Sequence, residues 1–190
     1  MKISLRKHAD AKRICIDIQD RSYDAGVFIQ KLASSSHPYG RLIEKYRQFE
    51  FEPGNFLSDP DSWQLLRRVH DLLKACLRNA DPLLIEDCLV PADAGYLPPI
   101  PKPPLMFGLA GNCPQTWRNS ATLIQNYPVG YVRPWRSLSG HNQRVTLNET
   151  VTSFRCAAEL GVVIGKKAFR IPPSQAFEVI VGYTCVNDMI

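Results

Sequence analysis

The sequence predicts an α+β fold in two parts, a small mixed unit over residues 1–98 and a β-rich unit over residues 99–190. Three observations carry this. One amphipathic helix pattern stands out in the first half, short β-prone runs dominate the second, and a proline-dense stretch separates them. Leu97-Pro98-Pro99-Ile100-Pro101-Lys102-Pro103-Pro104 holds five of the fifteen prolines, a density that excludes helix and central strand and favours an extended connector. An SH3-type ligand has the same composition, but globular sequence on both sides favours the connector.

In chain order, Ile14-Cys15-Ile16-Asp17-Ile18 alternates toward strand, and Gly26-Val27-Phe28-Ile29 reads as a second short strand after a turn at Arg21-Ser22-Tyr23-Asp24. Asp59 can cap a helix with Pro60 at its first position. Leu65, Leu66, Val69, Leu72, Leu73, Cys76 and Leu77 then recur at three and four to form one apolar face. His70 falls just outside that stripe and reads as solvated; the pattern fades at Asn79 and Asp81-Pro82. Beyond the prolines, Leu105–Leu109 and Val145–Leu147 read as strands, and Leu160–Gly165 as a strand covered on both faces. Ser174 can cap a short helix carrying Ala176, Phe177, Ile180 and Val181 and closed by a left-handed Gly182, before a strand over Tyr183–Val186.

Composition narrows the function classes. Apolar residues make up 45% and charged residues 22%, which is globular rather than disordered usage. The net charge is +5, yet Lys and Arg are scattered with no run of five, so nucleic acid is not the expected partner. Six widely spaced cysteines, without C-x-x-C pairs or zinc-finger histidines, read mostly as buried thiols. Charge near the amino terminus excludes a signal peptide there, and no segment reaches the ~20 apolar residues that span a bilayer. A reducing, cytoplasmic setting without membrane contact follows.

Several segments, in order, resemble the fumarylacetoacetate hydrolase family. The proline-rich entry with Phe107-Gly108-Leu109 is similar to its first strand. Pro128-Val129-Gly130-Tyr131 is similar to its PVGY segment, and Val132-Arg133-Pro134-Trp135-Arg136-Ser137-Leu138-Ser139-Gly140 to F-x-K-P-x-S-S-L-x-G. Glu159-Leu160-Gly161-Val162-Val163-Ile164-Gly165-Lys166 resembles E-L-A-V-V-I-G-K, and Gly182-Tyr183-Thr184-Cys185-Val186-Asn187-Asp188 resembles G-Y-T-V-x-N-D. The first half resembles the family's small amino-terminal domain.

The resemblance implies a barrel-like mixed sheet and a bound Mg²⁺, Mn²⁺ or Ca²⁺, held by an E-x-E pair and a later Asp because hard cations take oxygen ligands. Such an ion chelates a 1,3-dicarbonyl or 2-oxo acid and stabilises the enolate formed as a C–C bond breaks or a proton moves. It implies Glu159 and Asp188 as metal ligands, with Ala157 where the first Glu of the pair belongs. It further implies Arg133, in place of a family Lys, and Tyr131 as substrate contacts. The alternatives are a lone surface carboxylate at 159, a turn residue at 188, a surface arginine and a core tyrosine.

No general base is assigned. The family's G-L-N-Y-x-x-H histidine has no counterpart in Gly111-Asn112-Cys113-Pro114-Gln115-Thr116, and Thr116 cannot act as a base near neutral pH. His141 reads as a solvated loop residue or a substitute base. The family also continues beyond N-D through strands that close its sheet, so the resemblance implies an incomplete sheet here, completed by a further segment, a second polypeptide, a homodimer partner, or some combination. The functional expectation is an enzyme of C–C hydrolysis, decarboxylation or keto–enol chemistry. The alternative is a non-catalytic subunit partnering a complete homologue.

Overall fold

A computed structural model describes residues 1–34, 53–79, 85–112 and 128–190. Asp81-Pro82, Cys113 and Thr116 lie outside these residues. The described part is a mixed α+β chain. Strands β1 (Lys2–His8), β2 (Ala11–Ile18), β3 (Arg21–Asp24), β4 (Leu89–Val90) and β5 (Gly95–Leu97) form one antiparallel sheet of order β4-β3-β2-β1-β5.

Strand period divides this sheet into two chemically different faces. Ile3, Leu5, Ile14, Ile16 and Tyr23 look toward α1 (Ala25–Ser34), α2 (Pro53–Ser58) and α3 (Pro60–Arg78), forming a core with Phe28, Ile29, Leu32, Leu65, Leu66, Val69 and Leu73. The opposite face is polar and also buried. Asp17 Oδ1 accepts from Ser4 Oγ at 2.9 Å and Ser22 Oγ at 2.7 Å, while the Arg6 guanidinium lies 3.7 Å over the Tyr96 ring and donates to the Ala92 carbonyl. Asp59 caps α3 by accepting from the Asp61 N–H at 3.0 Å, with Pro60 in the first turn and Asn79 at the carboxyl end.

Two expectations for this half are corrected. Arg21–Asp24 is a strand rather than a turn, because both its edges are claimed by β2 and β4. Gly26–Ile29 lies within α1 rather than in a strand. Asp24 Oδ1 accepts from the N–H groups of Gly26 and Val27 at 2.8 and 3.1 Å, starting a helix whose Phe28, Ile29 and Leu32 share the buried side. His70 is also less solvated than expected: its side chain is 17% exposed and its Nδ1 lies 2.9 Å from Asp71 Oδ1.

The second half forms two antiparallel hairpins, β6 (Met106–Ala110) with β7 (Val129–Arg133), and β8 (Cys156–Ile164) with β9 (Ile180–Met189). Val145–Leu147 is not a strand but part of an irregular exposed segment. The helix expected from Ser174 is a 3-10 turn, Pro173–Val179, entered through Pro172. Two successive prolines deny it amide donors, and β8 claims Ile180 onward, so Gly182 sits in β9 opposite Val163 instead of capping a helix. The expectation that β8 is covered on both faces also fails. Leu160 is 68% and Ile164 56% exposed, because no described element packs on that side.

Candidate active site

Tyr131 and Arg133 alternate onto one face of β7, where Gly108 stands directly across from Tyr131. A Cβ at Gly108 would lie 2.4 Å from Tyr131 Cζ and 2.7 Å from its hydroxyl. Only a residue without a side chain lets that ring lie across β6. The ring in turn lies 5.1 Å from the Arg133 guanidinium carbon.

In the other hairpin, the register sets Ala157 opposite Asp188 and Glu159 opposite Val186. Residues paired across an antiparallel ladder share a face, so Ala157, Glu159, Val186 and Asp188 all project from the same side. Glu159 and Asp188 are diagonal neighbours, a relation that separates such residues by about 7–8 Å, with their Cβ atoms somewhat closer.

The two faces meet at Asp188. Its Oδ2 accepts from Arg133 Nη2 at 2.8 Å and from the Tyr131 hydroxyl at 3.2 Å. Asp188 is 16% and Arg133 32% exposed at the side chain, so the ion pair is partly shielded while remaining open to a ligand. The neighbouring Tyr131 oxygen, and after it Asp188, hold the guanidinium's pKa above its ordinary value against the loss of water. Arg133 is therefore charged at every working pH.

Arg133, Tyr131 and Asp188 are thus brought together, with Glu159 exposed on the adjoining stretch of β8. His141 lies elsewhere. It sits edge-on to Tyr96, ring centroids 5.1 Å apart, beside a lock in which Gln143 Nε2 donates to the Tyr96 carbonyl at 2.8 Å and Gln143 Oε1 accepts from the Gly140 N–H at 2.9 Å. Sequence reasoning missed Gly108 and this lock. A glycine inside a strand is itself a signal of close approach by another group, whereas nothing local announces Gln143.

Whether a divalent cation suits these residues follows from the donor set. Two carboxylates on one face offer the oxygen chemistry that a hard cation takes. Ala157, directly across from Asp188, contributes a methyl group where a third carboxylate would be needed. Among the described residues, no group of three or more His, Cys, Asp and Glu could hold a metal. The described residues therefore offer two carboxylates, one of them already engaged by Arg133 and Tyr131, and do not by themselves form a metal site.

Comparison with known proteins bears on the same residues. Residues 107–190 match the family model described as fumarylacetoacetate (FAA) hydrolase C-terminal. This segment is similar to the fumarylacetoacetate hydrolase family. The ion pair and both carboxylates lie inside this matched segment, and the family that it resembles comprises hydrolase- and decarboxylase-type enzymes that often bind divalent metals. An uncharacterized protein of Pyrococcus abyssi is 31% identical over 88 residues, 46% of this chain and 39% of its own length. Uncharacterized proteins of Staphylococcus aureus strains USA300 and NCTC 8325 are each 25% identical over 151 residues, 78% of this chain and 50% of theirs. The chain thus spans half or less of the length of these curated relatives.

Proposed function

We propose that this chain supplies an acid-binding half-site to a metal-assisted enzyme acting on a 1,3-dicarbonyl or 2-oxo acid, through C–C hydrolysis, decarboxylation or keto–enol chemistry. The observation that carries the reading is the Arg133–Asp188–Tyr131 cluster, with Glu159 on the same strand face as Asp188. Arg133 offers a planar fork that binds a carboxylate in two parallel hydrogen bonds. Tyr131 orients an oxygen of the acid and can hold or release a proton at its hydroxyl. Glu159 and Asp188 would hold Mg²⁺, Mn²⁺ or Ca²⁺, which when bound supplies Lewis-acid stabilisation of developing enolate charge. The division into a small domain over residues 1–98 and the first part of a catalytic domain over residues 99–190 belongs to this proposal. So does a cytoplasmic setting, with a second polypeptide or a homodimer partner completing the sheet.

Titration of Mn²⁺, followed by electron paramagnetic resonance, tests it. Binding should be weak in the natural chain and lost in both Glu159→Ala and Asp188→Ala. Binding that survives both substitutions, or is absent throughout, rejects the reading. A second reading, a non-catalytic subunit of a complete homologue, is favoured by Ala157 alone. Ala157→Glu separates the two: if the restored carboxylate gives no tighter Mn²⁺ binding, the face has lost more than one ligand and the subunit reading stands.

A further inference from the structure

We infer that the polar face of the first sheet carries a binding site for a free α-amino acid, separate from the Arg133 face, with Asp17 as the partner of the ligand's ammonium group. A cleft of about 160 Å³ lies there, with Lys2, Asp17, Asp20, Arg21, Ser22 and Tyr96 in its lining. A single buried water needs only roughly 10–15 Å³, so the space is that of a small molecule.

The floor of the cleft holds an unmet acceptor. Asp17 is 9% exposed, and its Oδ1 accepts from the hydroxyls of Ser4 at 2.9 Å and Ser22 at 2.7 Å. Each serine has one proton to donate, so both are spent on that oxygen. Asp17 Oδ2 is buried and has no hydrogen-bond partner among the described residues. Lys2 faces Asp17 across the β1–β2 ladder but stays exposed at the rim. Buried carboxylate oxygens are ordinarily met by donors, and an ammonium group entering the cleft meets this one with a charge-assisted hydrogen bond.

The surrounding charges argue against a bare amine. Lys2 and Arg21 balance Asp17 and Asp20. Behind the Tyr96 ring, the buried Arg6 guanidinium lies 3.7 Å from the ring centroid, adds one more positive charge and holds that wall in place. A lone cation would meet net positive surroundings, whereas a zwitterion sets its carboxylate against Lys2 and Arg21 while its ammonium rests on Asp17. Cross-strand partners such as Lys2 and Asp17 stand about 4.5–5.5 Å apart at Cβ. An α-amino acid, with both charged groups on one carbon, is short enough to engage the two together.

The test uses the purified 190-residue chain with glycine as the probe, and methylammonium and acetate as its two halves, followed by ligand line broadening in NMR. Glycine should bind, and each half should bind roughly tenfold more weakly or worse, because it engages one partner instead of two. Asp17→Asn keeps an oxygen for Ser4 and Ser22 but sets an amide donor where Oδ2 stands. Glycine affinity should then fall by roughly tenfold or more, with the circular dichroism spectrum unchanged. Should that variant fail to fold, Lys2→Gln combined with Arg21→Gln, both at exposed positions, carries the test with an expected several-fold loss. Arg133→Met should bind glycine like the natural chain, which keeps this site distinct from the acid-binding face. The assignment is overturned if glycine does not bind, if a folded Asp17→Asn or the rim pair retains full affinity, if acetate binds as well as glycine, or if Arg133→Met abolishes binding.

Discussion

The absent side chain at residue 108 decides where Tyr131 can lie. Because a Cβ there would come within 2.4 Å of the ring, Gly108→Ala must push the ring off β6 and away from Asp188. The obstacle is the far end of a movable side chain and not backbone, so unfolding free energy should change by less than about 1 kcal/mol. Affinity for pyruvate, read from ligand line broadening in NMR, should fall to the level of Tyr131→Phe. Retained affinity means Tyr131 does not contact the acid. The motif order pointed to residues 131, 133, 159 and 188, because each sits in a local run that can be matched by eye. Their arrangement was not legible, since the 2.8 Å contact between Arg133 and Asp188 joins residues 55 positions apart on separate hairpins. The thiols divide along similar lines. Among the described residues, Cys15, Cys76 and Cys88 are buried, and Cys156 and Cys185 are exposed. Burial, with Asp24 and Asp17 adding to it, raises the Cys15 thiol from 9.0 to about 12, and burial raises Cys88 likewise to about 12. Alkylation at pH 8 with peptide mapping should label Cys156 and Cys185 and spare the three buried thiols until unfolding. A folded-state pKa above the unfolded value means stability present below pH 9 and lost as pH rises toward 12. The slope is at most about 1.4 kcal/mol per pH unit per thiol. A denaturation midpoint that is flat between pH 9 and 11 would contradict this.

Elements whose instructions are local were readable, and elements defined by neighbours were not. Asp59, Pro60 and the three-and-four apolar spacing write α3 into the sequence without outside help. Strand β3 has a turn-like composition and becomes a strand only because β2 and β4 flank it. The 3-10 turn Pro173–Val179 has helix-like apolar spacing, but β8 competes for its last residues and wins through the backbone ladder. The segment after β7 is held by an equally non-local device. Gly140 packs so close to β5 that a Cβ would lie 2.1 Å from the Tyr96 carbonyl oxygen, and Gln143 binds that same oxygen. Here the obstacle is backbone, which cannot step aside. Gly140→Ala should therefore release residues 137–143 from the first sheet and cost about 1–3 kcal/mol in chemical denaturation. Gln143→Ala, losing the hydrogen bonds without the clash, should cost about 1 kcal/mol. Equal effects would show that the close approach at Gly140 is relieved elsewhere.

At the scale of the molecule, the two halves manage apolar surface differently. The first buries it between the sheet and α1–α3, whereas the second turns its site face inward and leaves the opposite face of each hairpin bare. Phe107 is 58%, Val132 65% and Tyr183 56% exposed on those outer faces, alongside Leu160 and Ile164. Side chains of this size gain about 1.5–3 kcal/mol each when covered, and soluble monomers rarely keep such groups contiguous. Among the described residues, the hairpins also have strand edges with no ladder partner, which invite another strand. By itself, the 190-residue chain should associate in a concentration-dependent way and bind an apolar dye, as read by sedimentation velocity and fluorescence. Charge placed on the bare faces, as in Leu160→Lys combined with Val132→Lys, should shift the distribution toward monomer without altering the circular dichroism spectrum. These side chains support no described core, so folding should not suffer. The site face offers a second readout, because Arg133, Tyr131 and Asp188 project from the opposite faces of the same two hairpins. If the doubly charged variant is monomeric yet binds Mn²⁺ and acid like the natural chain, the covering partner serves stability alone. If binding is lost along with association, the partner also completes the site. A natural chain that is monomeric at high concentration and binds no dye would remove the case for any covering partner.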